Sequence, residues 1–385
     1  MQTTVTAPQR AWSLPQAQQF ALPVLFALFG VIMGSWAGRI PALAERVHVS
    51  HSALSMVLLC GGLGAVLSYP VSSWLMGTFG ARKSLFYSGL VLLAVLVAIG
   101  SAPTVPLLML AVLSLGITAS TFDVAINSVA TKREMQTGKS ELSKLHGVGC
   151  AGGLAGATLG SLMAGLHIAP AIHFVMLAGP LAAVLWIAYQ MLDVDDAAEA
   201  VEKKKFSLPR GPLALLGAIG FLGSMVEGSI ADWSGVFLKE HFHATDGQAP
   251  LALSAFSVMM LGARLVGDRL KVRFGAKRLV VCGALLGATG LFFAVLAPHA
   301  YFALAGFAIA GLGLAVVFPF VFSAAGSDGP MALAGVATMA YTGSLMGPPV
   351  IGAIAQGVGM QMAIGYIGVL ALAIAFVASR ARMLK

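Results

Sequence analysis

Residues 79–100 read FGARKSLFYSGLVLLAVLVAIG. A Phe-Gly-Ala turn ends in two cations, and Ser84–Gly100 then follows without a single charge. A helix of that length and composition suits the ~30 Å hydrocarbon core of a bilayer. The same kind of run fills the chain. Twelve predominantly apolar stretches are legible: Phe20–Gly38, Ser52–Met76, Ser84–Gly100, Leu107–Ala130, Leu142–Leu166, Ala169–Leu192, Pro212–Leu238, Leu251–Lys271, Arg278–Ala297, Tyr301–Ala324, Leu333–Val358 and Gln361–Arg382. Short polar turns join most of them. Gly and Pro inside the runs do not count against spanning helices, which tolerate both. A β-barrel would show strands of about 10 residues with alternating polarity, and these runs are too long and too uniformly apolar.

Composition agrees. Of 385 residues, 58% are hydrophobic and 10% are charged, against about 25% charged in ordinary soluble proteins. Mean hydropathy is +0.90. Disorder is excluded by the apolar content, and a soluble enzyme by the lack of surface charge. Three cysteines exclude a disulfide scaffold. The expected fold is an all-α membrane protein with twelve transmembrane helices.

The cations set the topology. With the N-terminus inside, 20 of the 23 Lys and Arg residues fall on the inner side, and Arg39, Arg46 and Lys239 fall outside. By the positive-inside rule both termini are cytoplasmic. The net charge of +8 then needs no nucleic-acid partner; anionic lipid head groups suffice. Residues 1–18 lack the order of a cleavable signal peptide.

An internal repeat divides the chain. Phe79-Gly80-Ala81-Arg82-Lys83 recurs as Phe274-Gly275-Ala276-Lys277-Arg278, 195 residues later. Gly116 and Gly311 are also 195 apart, and Trp36 and Trp233 are 197 apart. Six helices are thus repeated in the same orientation, as in one large class of transporters. The expected units are a six-helix bundle over 1–192, a cytoplasmic linker over 193–210, and a second bundle over 211–385. The linker carries an acidic block and then a basic one, DVDDAAEAVEKKKFSLPR, which reads as a solvated connection.

These features resemble the major facilitator superfamily along nearly the whole chain. The two Phe-Gly-Ala loops look like the second half of its signature between helices 2 and 3. The acidic residue that opens the signature is absent: Gly77 and Val272 stand in its place. A closer likeness is to bacterial inner-membrane members near the fucose–proton symporter branch. It is carried by Gly34-Ser35-Trp36-Ala37-Gly38-Arg39-Ile40-Pro41, Asp123-Val124-Ala125-Ile126-Asn127, His146-Gly147, Asp232-Trp233-Ser234 and Gly347-Pro348-Pro349. The resemblance implies proton-coupled transport, with the carboxylate of the fourth span carrying the proton.

Charges inside a membrane are costly and mark function. Asp123, Glu227 and Asp232 are the carboxylates read as lying well within spans. Asp123 reads as the coupling residue, with Glu227 as a second candidate. Asp123 is placed about 10 Å from the cytoplasmic end of its span at 1.5 Å per residue. Asn127 shares its face, and His146 enters at a similar level. A structural bond from Asp123 to His146 or Lys132 is the competing reading. His146 and Tyr341, 195 apart, are expected to face each other across the central cavity. With Asn127, Trp36 and Gln356 they form the expected substrate-binding set.

At the outer end, Arg39 and Asp232 are expected to pair as an extracellular gate. Trp36 and Trp233 could instead belong to an interfacial aromatic belt. Glycines in the first span (Gly30, Gly34, Gly38) and the fifth (Gly147, Gly149, Gly152, Gly153, Gly156, Gly160), many at four-residue spacing, predict close helix packing.

No cofactor or metal is expected: the cysteines are single, the histidines lack metal spacing, and no Walker motif occurs. An enzyme is not expected. The favoured reading is a monomeric secondary transporter of the bacterial inner membrane. Its partners would be a small, neutral, sugar-like substrate, protons and membrane lipid. Two rivals remain: a proton-driven exporter of amphipathic compounds, and a receptor that does not transport.

Overall fold

The computed structural model describes residues 16–137, 142–192, 210–328 and 330–384. Every regular element among them is a helix. The first half holds α1 (Gln16–Arg46), α2 (His51–Ser101), α3 (Val105–Thr137), α4 (Leu142–Gly165) and α5 (Pro170–Met191). The second holds α6 (Pro212–Phe242), α7 (Leu251–Phe274), α8 (Ala276–Val295), α9 (Ala300–Leu314), α10 (Val317–Ser327), α11 (Pro330–Val358) and α12 (Met360–Arg380). Among the described residues, nine helical segments are long and apolar enough to cross a membrane. Most of the expected linker, 193–209, lies outside the described residues.

Two departures from the predicted stretches have local causes. The 51 residues of α2 would reach about 77 Å at 1.5 Å per residue, more than twice the bilayer core. The helix breaks at Gly80, where φ is 77° and ψ is 167°, so its two arms correspond to the second and third predicted spans. The repeat obeys the same rule: Gly275, between α7 and α8, has φ 80° and ψ 148°. A residue with a Cβ is strained in that region. The second departure is the stretch predicted as Tyr301–Ala324, which divides into α9 and α10. Pro319 has no N–H to donate to the carbonyl of Ala315, and its ring crowds that carbonyl. The freed oxygen accepts a hydrogen bond from Arg264 Nε at 3.1 Å. With α2 counted as two crossings and α9–α10 as one, the helices are consistent with twelve spans.

Within the first half α1 packs on α4 and α2 on α3; within the second α6 packs on α11 and α7 on α9. The predicted glycine stripes form the first of these contacts. A Cβ added at Gly30 would lie 2.0 Å from the carbonyl oxygen of Gly149, and one at Gly34 2.0 Å from that of Gly153. The repeat reproduces another contact. A Cβ on Gly116 would lie 1.9 Å from Gly61 O, and one on Gly311 2.0 Å from Phe256 O. Positions 61 and 256 are themselves 195 apart.

Candidate functional site

The two ends of the molecule differ. One, the basic end, carries the Gly80 and Gly275 turns. At the other, the far end, the halves are fastened together. His51 Nε2 meets the Glu240 carboxylate at 2.7 Å. Lys239 Nζ is shared between Glu45 of the first half and Asp246, 2.6 Å away in its own half. Ser161 Oγ donates to Gly247 O, and Ser52 Oγ to Gln356 Oε1 at 3.5 Å. Backbone fit completes the seal: a Cβ on Gly235 would press on Pro41, and one on Gly352 on Ser55. The cavity is closed at this end.

The expected outer gate and one expected substrate residue lie elsewhere than predicted. Arg39 does not pair with Asp232. Its guanidinium is buried and donates to Gly160 O at 3.4 Å and Ile168 O at 2.6 Å. Gly160 lies in the last two turns of α4, and Ile168 lies beyond the helix end, where helical donors have run out. Arg39 thus ties α1 to α4 within one half. Gln356 sits at the far-end rim, bonded to Ser52, rather than with the other expected substrate residues. The two tryptophans are also not an interfacial belt. Trp36 is 7% exposed and Trp233 is fully buried.

Deeper in, the expected polar group assembles. Asp123 lies near the middle of α3, because that helix continues to Thr137. It is about 21 Å from the helix end at 1.5 Å per residue, rather than the 10 Å expected. Asn127 Nδ2 donates to Asp123 O at 2.8 Å and to Asp123 Oδ1 at 3.1 Å. Asn127 Oδ1 is 3.1 Å from His146 Nε2 on α4, which fixes that nitrogen as the donor. The result is a carboxylate–amide–imidazole chain across two helices. Phe26 packs edge-on against the His146 ring, with centroids 5.2 Å apart. From the second half, Tyr341 lies within electrostatic reach of Asp123 and of Tyr69. It is 63% exposed, and His146 is exposed as well.

One turn toward the far end lies a second layer. A cavity of about 240 Å³ is walled by α1, α2, α3, α6 and α11. Trp36, Ser120, Asp232 and Ser344 supply its polar lining; Met33, Leu58, Val112, Leu115 and Pro348 are among its apolar walls. Ser120 precedes Asp123 by three residues and Ser344 follows Tyr341 by three, so each pair shares a helix face. The two layers stack along α3 and α11.

Glu227 turns the other way. Its Oε2 is 3.6 Å from Arg264 Nη2 on α7, and its Oε1 is buried without a hydrogen-bond partner. Arg264 also donates to Cys150 Sγ of the first half at 3.3 Å. Charge counting had grouped Arg264 with the cytoplasmic cations. The structure sets it in mid-helix, 10 residues from the end of α7. The signal was present: an Arg inside the predicted stretch Leu251–Lys271, with Glu227 at similar depth on the preceding span. Among the described residues no group of His, Cys, Asp and Glu is arranged to hold a metal ion.

Comparison with known proteins places this architecture. The sequence profile of the Major Facilitator Superfamily matches residues 21–236 and again 215–384. The chain is 30% identical to the transporter y4wD of Sinorhizobium fredii over 359 residues, covering 92% of this chain and 95% of that protein. It is 30% identical to the membrane protein MosC of Rhizobium meliloti, covering 90% and 86%. Among solved structures, the nucleoside transporter NupG superposes with a TM-score of 0.72 at 17% identity, over 95% of this chain and 99% of that one. A bacterial homologue of the lysosomal transporter Spinster, inward-facing and occupied, gives 0.74 at 14% identity, over 94% and 96%. At such identities these structures speak for the fold. Profile, relatives and twofold helical repeat agree: the chain is a multi-pass membrane transport protein, not an enzyme, and belongs to the Major Facilitator Superfamily.

Proposed function

We propose that the protein is a secondary active transporter that moves a small, polar, sugar-like solute by alternating access, driven by protons through Asp123. The observation that carries this reading is the Asp123–Asn127–His146 chain, set in mid-membrane beneath a closed far end and facing Tyr341 of the opposite half. The charge count supports a bacterial inner-membrane setting with both termini and the basic end in the cytoplasm. The cavity then opens to the cytoplasm in the form described. The likeness of several segments to the fucose–proton symporter branch supports symport.

The chemistry follows from the cost of charge. An ionised carboxylate at mid-membrane costs from ~2.5 to above 10 kcal/mol, depending on how it is assessed. Asp123 is held by one amide and faces an imidazole, and among the described residues no Arg or Lys is shown bonded to its carboxyl. Protonation removes its charge while the halves rock past one another. Loss of the proton to the cytoplasm restores the charge and loosens the hold on a solute bound to Asn127, His146 and Tyr341. Trp36 would close the site from the far side.

The test uses purified protein in liposomes that enclose a pH-sensitive dye. Neutral sugars added outside should drive proton entry in the wild type and none in Asp123→Asn. Sugar-driven proton movement that persists in Asp123→Asn would refute the assignment of coupling to this residue. Proton movement with hydrophobic cations alone would refute the sugar-like substrate.

A further inference from the structure

The upper layer of the cavity has a chemistry that the proton site does not explain. Asp232 lines it, half-buried and with no hydrogen bond or ion pair among the described residues. Ser120 and Ser344 line the same space, and neither hydroxyl is bonded to another described residue. Pro348, also in the wall, has no N–H to give to the carbonyl of Ser344 four residues earlier. That oxygen has lost its helical donor. A carboxylate and two hydroxyl-bearing residues therefore line one small pocket, and the residue that owns the freed carbonyl is one of them. The indole of Trp36 is beside them, with a ring face that attracts cations. Asp232 and Ser120 are half-buried and Ser344 is exposed, and a carboxylate partly withdrawn from water is costly until it gains a partner. A ligand that brings donors and a positive charge satisfies them together.

Among the described residues no cation acts on Asp232, and three of the cations inside the helices or at the far end are held by other groups. Arg39 bonds carbonyls at the end of α4, Lys239 is held between Glu45 and Asp246, and Arg264 faces Glu227. A cationic ligand would supply the charge that no described residue brings to Asp232. The volume, about 240 Å³, is below the ~300–1,000 Å³ of sites for drug-sized ligands, so the bound group is small.

We infer that this pocket binds a protonated primary amine on a compact body. Asp232 and the serine oxygens take its N–H donors, and Trp36 covers its cationic face. The claim that the amine is cargo rests on the transport reading above and adds compact amines to the polar solutes the pathway would accept. The claim that it binds does not.

Cyclohexylamine is the probe, with cyclohexanol as its uncharged counterpart. Thermal stability of the full-length protein in detergent is measured against each at pH 7 and low salt. The amine should raise the melting temperature saturably and the alcohol should not at matched concentration. Asp232→Asn should weaken the amine at least tenfold, and Trp36→Leu several-fold. Equal stabilisation by cyclohexanol, equal affinity in Asp232→Asn, no stabilisation of the wild type, or protection by sodium ions alone would each overturn the inference. If an Asp232→Asn protein fails to fold, Trp36→Leu carries the test. The readout separates the two proposals. Amine binding through Asp232 without any solute flux would refute transport and leave the site. Sugar-driven proton movement without amine binding would do the reverse.

Discussion

At the scale of single residues, the membrane-embedded charges sort by what each one faces. Asp123 faces an amide and an imidazole, Asp232 faces a cavity, and Glu227 faces Arg264 at 3.6 Å. The last pair allows a direct prediction. Glu227→Gln or Arg264→Gln alone leaves the other charge in the membrane interior without its counterion. Breaking a fully buried pair costs ~3–5 kcal/mol. Here the side chains are 26% and 22% exposed, so each single change should cost about 1–3 kcal/mol, less than a fully buried pair. The double variant should recover most of that loss in a thermal melt. Additive losses would show that the two charges do not depend on each other. Sequence reading reached the three carboxylates because charged residues stand out in apolar runs. It missed Arg264, since a basic residue near the inner end of a stretch reads as a loop residue until the helix is placed. It paired Arg39 with Asp232 from equivalence in the repeat, but carbonyls at the end of α4 were nearer and claimed the guanidinium.

At the scale of elements, glycine decides which helices can touch. Hydropathy made the spans legible, and glycine spacing made the α1–α4 seam legible, because both depend only on local pattern. The division between α9 and α10 was less visible, since membrane helices often carry Pro without breaking. What fixes it is Pro319 acting with Arg264, a residue 51 positions away that binds the freed Ala315 carbonyl. The seam carries the second prediction. Gly34→Val would drive a Cβ to 2.0 Å from Gly153 O, and backbone cannot yield as a side-chain tip does. Overpacking of this kind costs ~1–3 kcal/mol or more, so the variant should lose most of its folded yield by fluorescence-detected gel filtration. Gly147→Ala on α4 is the control. Nothing lies within 4 Å of the added carbon, and Ala favours a helix over Gly by up to ~1 kcal/mol. Its yield should match or exceed the wild type; an equal loss in both variants would discredit the packing argument.

At the scale of the whole molecule, the far-end seal is a set of small polar contacts rather than a hydrophobic core. Exposed ion pairs contribute ~0–1 kcal/mol each, so a single reversal of charge should unbalance the seal. Lys239→Glu sets a carboxylate against Glu45 and Asp246 in place of the ammonium they share. The halves should part at this end more often. The reporter is Ser55→Cys, a near-isosteric change at a buried site packed against Gly352, in a background without the three native cysteines. An impermeant maleimide applied to the face opposite the basic loops should label it several-fold faster in the Lys239→Glu protein. Unchanged labelling would show that the backbone fit at Gly235 and Gly352 holds the seal without the ions. The two halves also preserve a record of their origin in the contacts at Gly116 and Gly311. Each meets the same backbone oxygen in its own half, yet the residue that owns the oxygen is Gly61 in one and Phe256 in the other. A carbonyl is common to all residues, so its owner was free to drift after the ancestral unit was copied. The position facing it had no such liberty, because any side chain there would part the helices. What the halves inherited in common at this place is a shape of main chain, and heredity of that kind outlasts the spelling of the residues around it.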